Sequence, residues 1–301
     1  MRIIVRPEEA PPPPPDYAPE SERWRVRPLA AGQEAETLAF LGVRPVHTVY
    51  MAGFIRDNGL VSPLNRGTFY GCRDRAGRLA GVALVGHVTQ FEARTDVALR
   101  ALAHAAQDCK SAHVIMGEQA AVRAFWEHYA PAGQTPRLAC RELLLEQRWP
   151  LAPAAVPGLR LATEDDLDLI LPVQARMAEE ECGVNPLAAD PQGFRSRCAL
   201  RVARRRVWVL TAAGRLLFKA DVMAETPEAV YLEGVHVAAD ERGRGLGRAC
   251  LRQLGGALLS PTRVICLLVN ERNGEAASFY QGAGYKLRAI YDTIYLHKAQ
   301  A

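Results

Sequence analysis

The chain has 301 residues, 49% of them apolar, and a formal charge of +4 at pH 7. That length suits one large or two ordinary domains, the apolar fraction excludes a disordered chain, and so mild a charge does not call for nucleic acid. No apolar run reaches the roughly 18 residues of a membrane span, and the seven cysteines are dispersed and never in C-x-x-C, which argues for a reducing compartment and against a structural metal or a disulfide framework.

The opening segment, residues 1–10, lacks the apolar stretch of a secretory signal, so a cytoplasmic location is expected. Five consecutive prolines at 11–15, among Asp, Glu and Ser, predict a polyproline-like disordered arm over 1–20. Residues 21–148 read as a first α/β domain. Its strands are expected at 24–29, 67–72, 79–87, 112–116 and 141–146, with a turn at 74–77. Its helices are expected at 34–41, 46–56, 95–108 and 120–129, the third marked by Val97, Leu99, Leu102, Ala105 and Ala106. The connection at 88–96 holds no glycine and two acids, so it predicts no phosphate cradle.

Residues 149–157 are rich in proline and read as a stiff linker to a second domain over 158–301. There Thr163 caps a helix reaching about 173, with acids in its first turn. Further helices are expected at 174–181 and 191–203, and strands at 207–211, 216–222 and 229–237. Leu246, Cys250, Leu254 and Leu258 mark the buried face of the next helix, which Gly255 and Gly256 weaken by about 1 kcal/mol each. Residues 264–269 form an unbroken apolar strand, and 285–290 and 291–296 alternate as closing strands expected to pair. The order of elements repeats that of the first half.

The strand at 229–237 runs into a turn in which Arg242, Gly245 and Gly247 stand in an R-x-x-G-x-G spacing, with Gly243 between them. Successive backbone N–H groups in such a turn converge, and the helix that starts at Leu246 adds its positive end, which together suit a pyrophosphate. A Cβ would hold phosphate away from the backbone or block a positive φ. Arg242, Arg244 and Arg248 add charge for phosphate oxygens. A P-loop is excluded because no Lys-Ser or Lys-Thr follows, and a dinucleotide fingerprint because the glycines lie late in the chain. The plain alternative is a glycine-rich turn capping an ordinary helix.

Residues 235–248 resemble the acetyl-CoA motif of the GNAT superfamily of N-acetyltransferases. Residues 159–167 resemble that family's opening strand and helix start, and 270–285 its second motif, an Asn-led helix carrying Phe279 and Tyr280. The resemblance implies an α/β (α+β) fold of two GNAT-like domains, each a mixed, mostly antiparallel sheet flanked by helices. The first would be degenerate, as in bacterial tandem GNAT proteins. It also implies that backbone groups of Val235, His236 and Val237 bind the pantetheine arm of acetyl-CoA, with Gly234 marking a bulge. One of those N–H groups, of Val235 or Val237, would polarise the thioester carbonyl. Residues 242–248, Leu246 included, would cradle the pyrophosphate.

Tyr280 matches the family's proton donor to the departing thiolate, and a phenol is protonated at pH 7. Its plain alternative is an aromatic packed with Ala276 and Phe279. Asn273 suits both a helix cap and a contact to the pantetheine amide. Glu233 is the favoured base for the amine proton, with His236 as the alternative. Transfer is expected to be direct in a ternary complex, because no cysteine sits in a nucleophile setting. The acceptor would be an amine-bearing small molecule or a protein N-terminus, and no metal, membrane or nucleic acid is implied. Arg197, Arg201 and Arg204 fall on one helix stripe and read as a solvated face. Glu179, Glu180 and Glu181 lie near the acceptor wall and would suit a cationic amine, although a solvated helix end is the stronger expectation. The rival functions are a non-catalytic acyl-CoA sensor and a two-domain adaptor.

Overall fold

A computed structural model describes residues 24–152, 155–259 and 264–297. The arm expected over 1–20 lies outside the described residues. The first half runs β1 (Arg25–Pro28), α1 (Glu34–Gly42), α2 (Pro45–Asn58), β2 (Gly67–Arg73), β3 (Leu79–Gly86), β4 (Val88–Ala93), α3 (Asp96–Ala106), β5 (Val114–Glu118), α4 (Gln119–Tyr129) and β6 (Pro136–Gln147). The second runs β7 (Arg160–Leu161), α5 (Leu167–Cys182), α6 (Pro186–Ala189), α7 (Pro191–Ala203), β8 (Val207–Ala212), β9 (Arg215–Glu225), β10 (Val230–Val237), α8 (Leu246–Leu259), β11 (Ile265–Asn270), α9 (Gly274–Gly282) and β12 (Lys286–Leu296). The same motif occurs twice: antiparallel strands, one parallel step across a helix (β4 to β5, β10 to β11), then a second helix.

The described strands form one sheet in the order β1-β2-β3-β4-β5-β12-β6-β11-β10-β9-β8-β7. The halves exchange their last strands. β6 of the first half lies between β11 and β12, and β12 of the second half pairs with β5 as well as β6. Burial follows the exchange. Leu145 of β6 is fully buried in the second-half core with Leu232, Leu254 and Ile265. Ile294 and Leu296 of β12 are buried in the first-half core with Leu102, Val122 and Phe125. α2 adds a further tie, since Val46 and Val49 pack with Ala224, Ala229 and Cys266 of the second half. A Cβ on Gly53 of α2 would sit 2.8 Å from the Ala224 Cβ, so that helix lies hard against β9.

Four expectations change. Residues 88–93 are a strand, not a connection, and only Arg94 and Thr95 separate β4 from α3; Thr95 Oγ1 accepts the Ala98 N–H at 3.2 Å as a helix cap. Residues 286–296 are one strand rather than a closing pair, because no Gly or Pro interrupts them and β6 supplies the partner. α5 runs unbroken through Pro172, after a 3-10 turn at Glu164–Asp166 that Thr163 and Asp166 close as a capping box. The arginine stripe of α7 is not a solvated face. Arg204 and Arg206 both reach Asp57 of α2, and Arg201 has only 18% of its side chain exposed.

Candidate active site

β10 and β11 pair in parallel at Val230–Ile265, Tyr231–Cys266 and Leu232–Leu267 and then part, although β10 continues to Val237 and β11 to Asn270. From Glu233 onward β10 therefore presents a strand edge that β11 leaves open. The cause is a bulge. Glu233 pairs with Asp221 and His236 with Lys219, so three steps on β10 match two on β9. Gly234 permits it, with φ +62 and an absent Cβ that would fall 2.9 Å from both Gln174 Oε1 and Lys219 Nζ. Lys219, fully buried, fixes the bulge by donating to the Gly234 carbonyl at 3.1 Å and to Asp221 Oδ1 at 2.6 Å.

The turn after β10 carries the expected glycines. Gly243 and Gly245 have φ +74 and +85, and an added Cβ on either meets nothing within 4 Å. Gly247 differs: a Cβ there would lie 2.7 Å from Val237 Cγ2 and 3.0 Å from the Phe279 ring, so it serves helix packing. Arg242, Gly243, Gly245, Gly247 and Arg248 line one cleft with Val235, His236, Val237, Asn273 and Tyr280. Arg244 and Leu246 are not among its lining residues. Arg244 reaches toward Glu241 at 3.9 Å, and Leu246 packs on the core. The cleft, about 2060 Å³, is larger than the roughly 300–1,000 Å³ usual for one ligand, because Tyr50, Arg66, His87 and Glu142 of the first half form its far wall.

Asn273 caps α9 through an Ala276 N–H bond of 3.0 Å to its Oδ1. Two turns on, Tyr280 is 9% exposed and stacks edge-on with Phe279 and Tyr285 at 5.2 and 5.8 Å. Burial first, and then the nearby Glu181 carboxylate, hold its phenol well above the ordinary value, so it stays protonated. His236 is buried and pushed down to about 4 by desolvation and by Arg176, Arg242 and Lys219, so it is neutral at pH 7. Glu233 also lines the cleft. Desolvation raises its carboxyl; Arg201 and Lys219 pull it back down, and Asp221 adds to the rise.

Two groups of residues lie outside the motif, and of these only Glu181 is weighed as a site residue from the sequence, where a solvated helix end is the stronger expectation. Lys219, Asp221 and Arg201 form a buried charge cluster behind Glu233, with Arg201 3.7 Å from Asp221. Their signal was a Lys and an Asp two residues apart, hence on one face, in an otherwise apolar strand. The second group is acidic. Desolvation, and then Glu233 and Glu142, push the Glu181 carboxyl up to about 7. The Glu181 side chain opens onto the cleft. Glu142 is raised by burial and by Glu233 and accepts a hydrogen bond from Thr293. Glu142 comes from β6, the exchanged strand, and no local pattern could have brought it to the second half.

Residues 203–287 match the acetyltransferase (GNAT) domain family. No match is found among curated proteins. Among solved structures, a Drosophila protein is similar at 13% identity and TM-score 0.65, over 91% of this chain and 99% of that one. A GNAT-family acetyltransferase from Colwellia psychrerythraea is similar at 13% and 0.57, over 91% and 100%. A tandem GNAT protein from the clavulanic acid biosynthesis pathway is similar at 16% and 0.55, over 92% and 99%. At such identities the likeness is one of fold, and it spans both halves. Residues 203–287 thus match an acetyltransferase domain of the GNAT superfamily, within a fold that the chain shares with a tandem GNAT protein.

Proposed function

We propose that the protein is an N-acetyltransferase that moves an acetyl group from acetyl-CoA to a cationic primary amine by direct attack in a ternary complex. The observation that carries this reading is the open β10 edge at residues 233–237, running straight into the left-handed glycines 243 and 245. The residues fit the group: an extended amide arm can add to the strand edge, and the space a Cβ would fill is free where phosphate would sit. Bound acetyl-CoA supplies the activated thioester carbonyl.

The remaining roles belong to this chain. Glu142, Glu181 and Glu233 attract the acceptor as its ammonium, and Glu233 takes the proton that frees the nitrogen lone pair. A backbone N–H of Val235 or Val237 polarises the carbonyl as the nitrogen–carbon bond forms. Tyr280 gives its proton to the sulfur as the carbon–sulfur bond breaks. Asn273 holds the start of α9, and hence Tyr280, in place. We place the boundary between the two repeats in the 149–157 segment, with the first repeat serving as the acceptor-side wall rather than a second catalytic unit.

Binding tests this reading first. Acetyl-CoA at about 100 times its Kd should add about 2.7 kcal/mol to the stability of the full chain and raise its Tm. Gly245→Val should abolish that rise. A variant that keeps the full ligand-induced rise would remove the cradle from this site.

A further inference from the structure

The first half keeps the same opening between strands. β4 and β5 pair in parallel at Val88–Val114 and Thr89–Ile115 and then part, while β4 continues to Ala93 and β5 to Glu118. The first residue past the last pair is Gln90; at the same point of the second half stands Glu233. A neutral amide thus takes the place of the carboxylate. A cavity of about 250 Å³ fills this gap, walled by Gln90, Glu92, Met116, Gly117, Glu118 and Tyr291.

Gln90 is 7% exposed, and its Oε1 is buried with no hydrogen-bond partner among the described residues. Leaving such a group unpaired is unfavourable, and a donor from a ligand would remove the penalty. The charges that close the gap are already paired with each other. Arg44 bonds Glu118 at 2.6 Å and Glu92 at 3.3 Å, and Arg94 bonds Glu92 at 2.7 Å. His47 Nδ1 lies 3.0 Å from the Tyr291 hydroxyl. With Arg44, Glu92, Arg94 and Glu118 spent on one another and Asp96 exposed to solvent at the start of α3, the interior of the gap favours neither an anion nor a cation. It has no place for a diphosphate either, because only Arg94 and Thr95 separate β4 from α3, and Thr95 Oγ1 is used as the helix cap.

We propose that this gap is a second, non-catalytic site that binds a small uncharged amide, held by an N–H donated to Gln90 Oε1 and by the strand edges that β4 and β5 leave unpaired. Edges of this kind match the alternating N–H and C=O groups of an extended amide. The two cavities share Met116 as a lining residue, but the site uses no residue given a role in the acetyl transfer proposed above.

The test is a protein-observed NMR titration of the full chain with N-acetylalanine methylamide, a neutral extended diamide, across the millimolar range. Saturable shifts should map to residues 90–93 and 116–118 and spare 233–248. N-acetylproline dimethylamide, which has no N–H, should not bind there. Gln90→Met keeps the size and removes the acceptor, and should weaken the diamide about tenfold, or 1.4 kcal/mol, while leaving the acetyl-CoA-induced Tm rise as in wild type. The proposal is overturned if wild type shows no saturable shift at 90–93 and 116–118, if the probe without N–H binds equally well, or if Gln90→Met titrates like wild type. The first two outcomes need no variant, so a Met variant that failed to fold would not shield the idea. Failure of acetyl transfer would show only in the acetyl-CoA arm.

Discussion

Glu233 and Tyr280 handle different protons in this account, so their variants should fail in different ways. Tyr280→Phe removes one hydroxyl and little packing; turnover should drop about 10²–10⁴-fold while acetyl-CoA affinity, measured by calorimetry, stays put. Wild-type turnover in the Phe variant would return Tyr280 to a packing role. Glu233 acts as a base only when ionised, and burial raises its pKa. The rate should therefore fall as pH drops through a value above the ordinary carboxylate range. Glu233→Gln should lose that acidic limb and recover partly at high pH, where the amine is already neutral; a limb that survives would assign it to another group. Glu142→Gln should raise the KM for a cationic acceptor several-fold with less effect on kcat, and an unchanged KM would take β6 out of acceptor binding. At this scale the sequence exposed the groups that a motif carries. Tyr280, Asn273 and the loop glycines could be read because each sits at a fixed offset within one segment. Lys219 and Arg201 could not, since what makes them matter is Asp221 and the bulge carbonyl of Gly234, and those contacts exist only after β9, β10 and α7 have packed.

The glycine turn after β10 shows how two glycines in one element do unlike work. Gly245 faces open space at φ +85, whereas a Cβ on Gly247 would collide with Val237 and Phe279. Gly245→Val should chiefly remove ligand binding, and because valine is also strained at positive φ, the readout is the ligand-induced rise in Tm rather than Tm itself. Gly247→Ala should destabilise the ligand-free protein by about 1–3 kcal/mol in a denaturant titration, as overpacking does; an unchanged midpoint would mean that α8 and α9 can shift apart without cost. Element identities were largely readable from periodicity and caps, as α3 and α7 illustrate. Boundaries failed where a local rule competed with a tertiary one. A helix to about 173 and a further one at 174–181 are expected, yet α5 runs through both as one. Residues 88–93 are expected as part of a connection, but they form a strand in which Arg44 and Arg94 pair with the buried Glu92 carboxylate.

At the scale of the molecule, the exchange of β6 and β12 joins what composition divides at the linker. A chain cut within 149–157 would leave the second half without the strand that lies between β11 and β12, and the first half without the strand that pairs with β5. Residues 158–301 alone should therefore be poorly folded and expose apolar surface, while the two pieces mixed together should restore a cooperative transition. A second piece that melts cooperatively by itself, with the full-chain response to acetyl-CoA, would show that the exchanged strand is dispensable. Nothing in the order of strands along the sequence announces this pairing, because strand register between distant segments is set by packing of whole faces, not by any local residue. The exchange is also what carries Glu142 into the cleft, which ties the fold to the proposed chemistry. The most direct test of that chemistry is amine-dependent release of free thiol from acetyl-CoA by the full chain, followed across pH with mono- and polycationic primary amines. The account predicts release that requires the amine, saturates with it, favours cationic acceptors and rises with pH. Release no faster with any amine than in its absence, from protein whose Tm acetyl-CoA nonetheless raises, would contradict it and leave a binding protein in place of an enzyme.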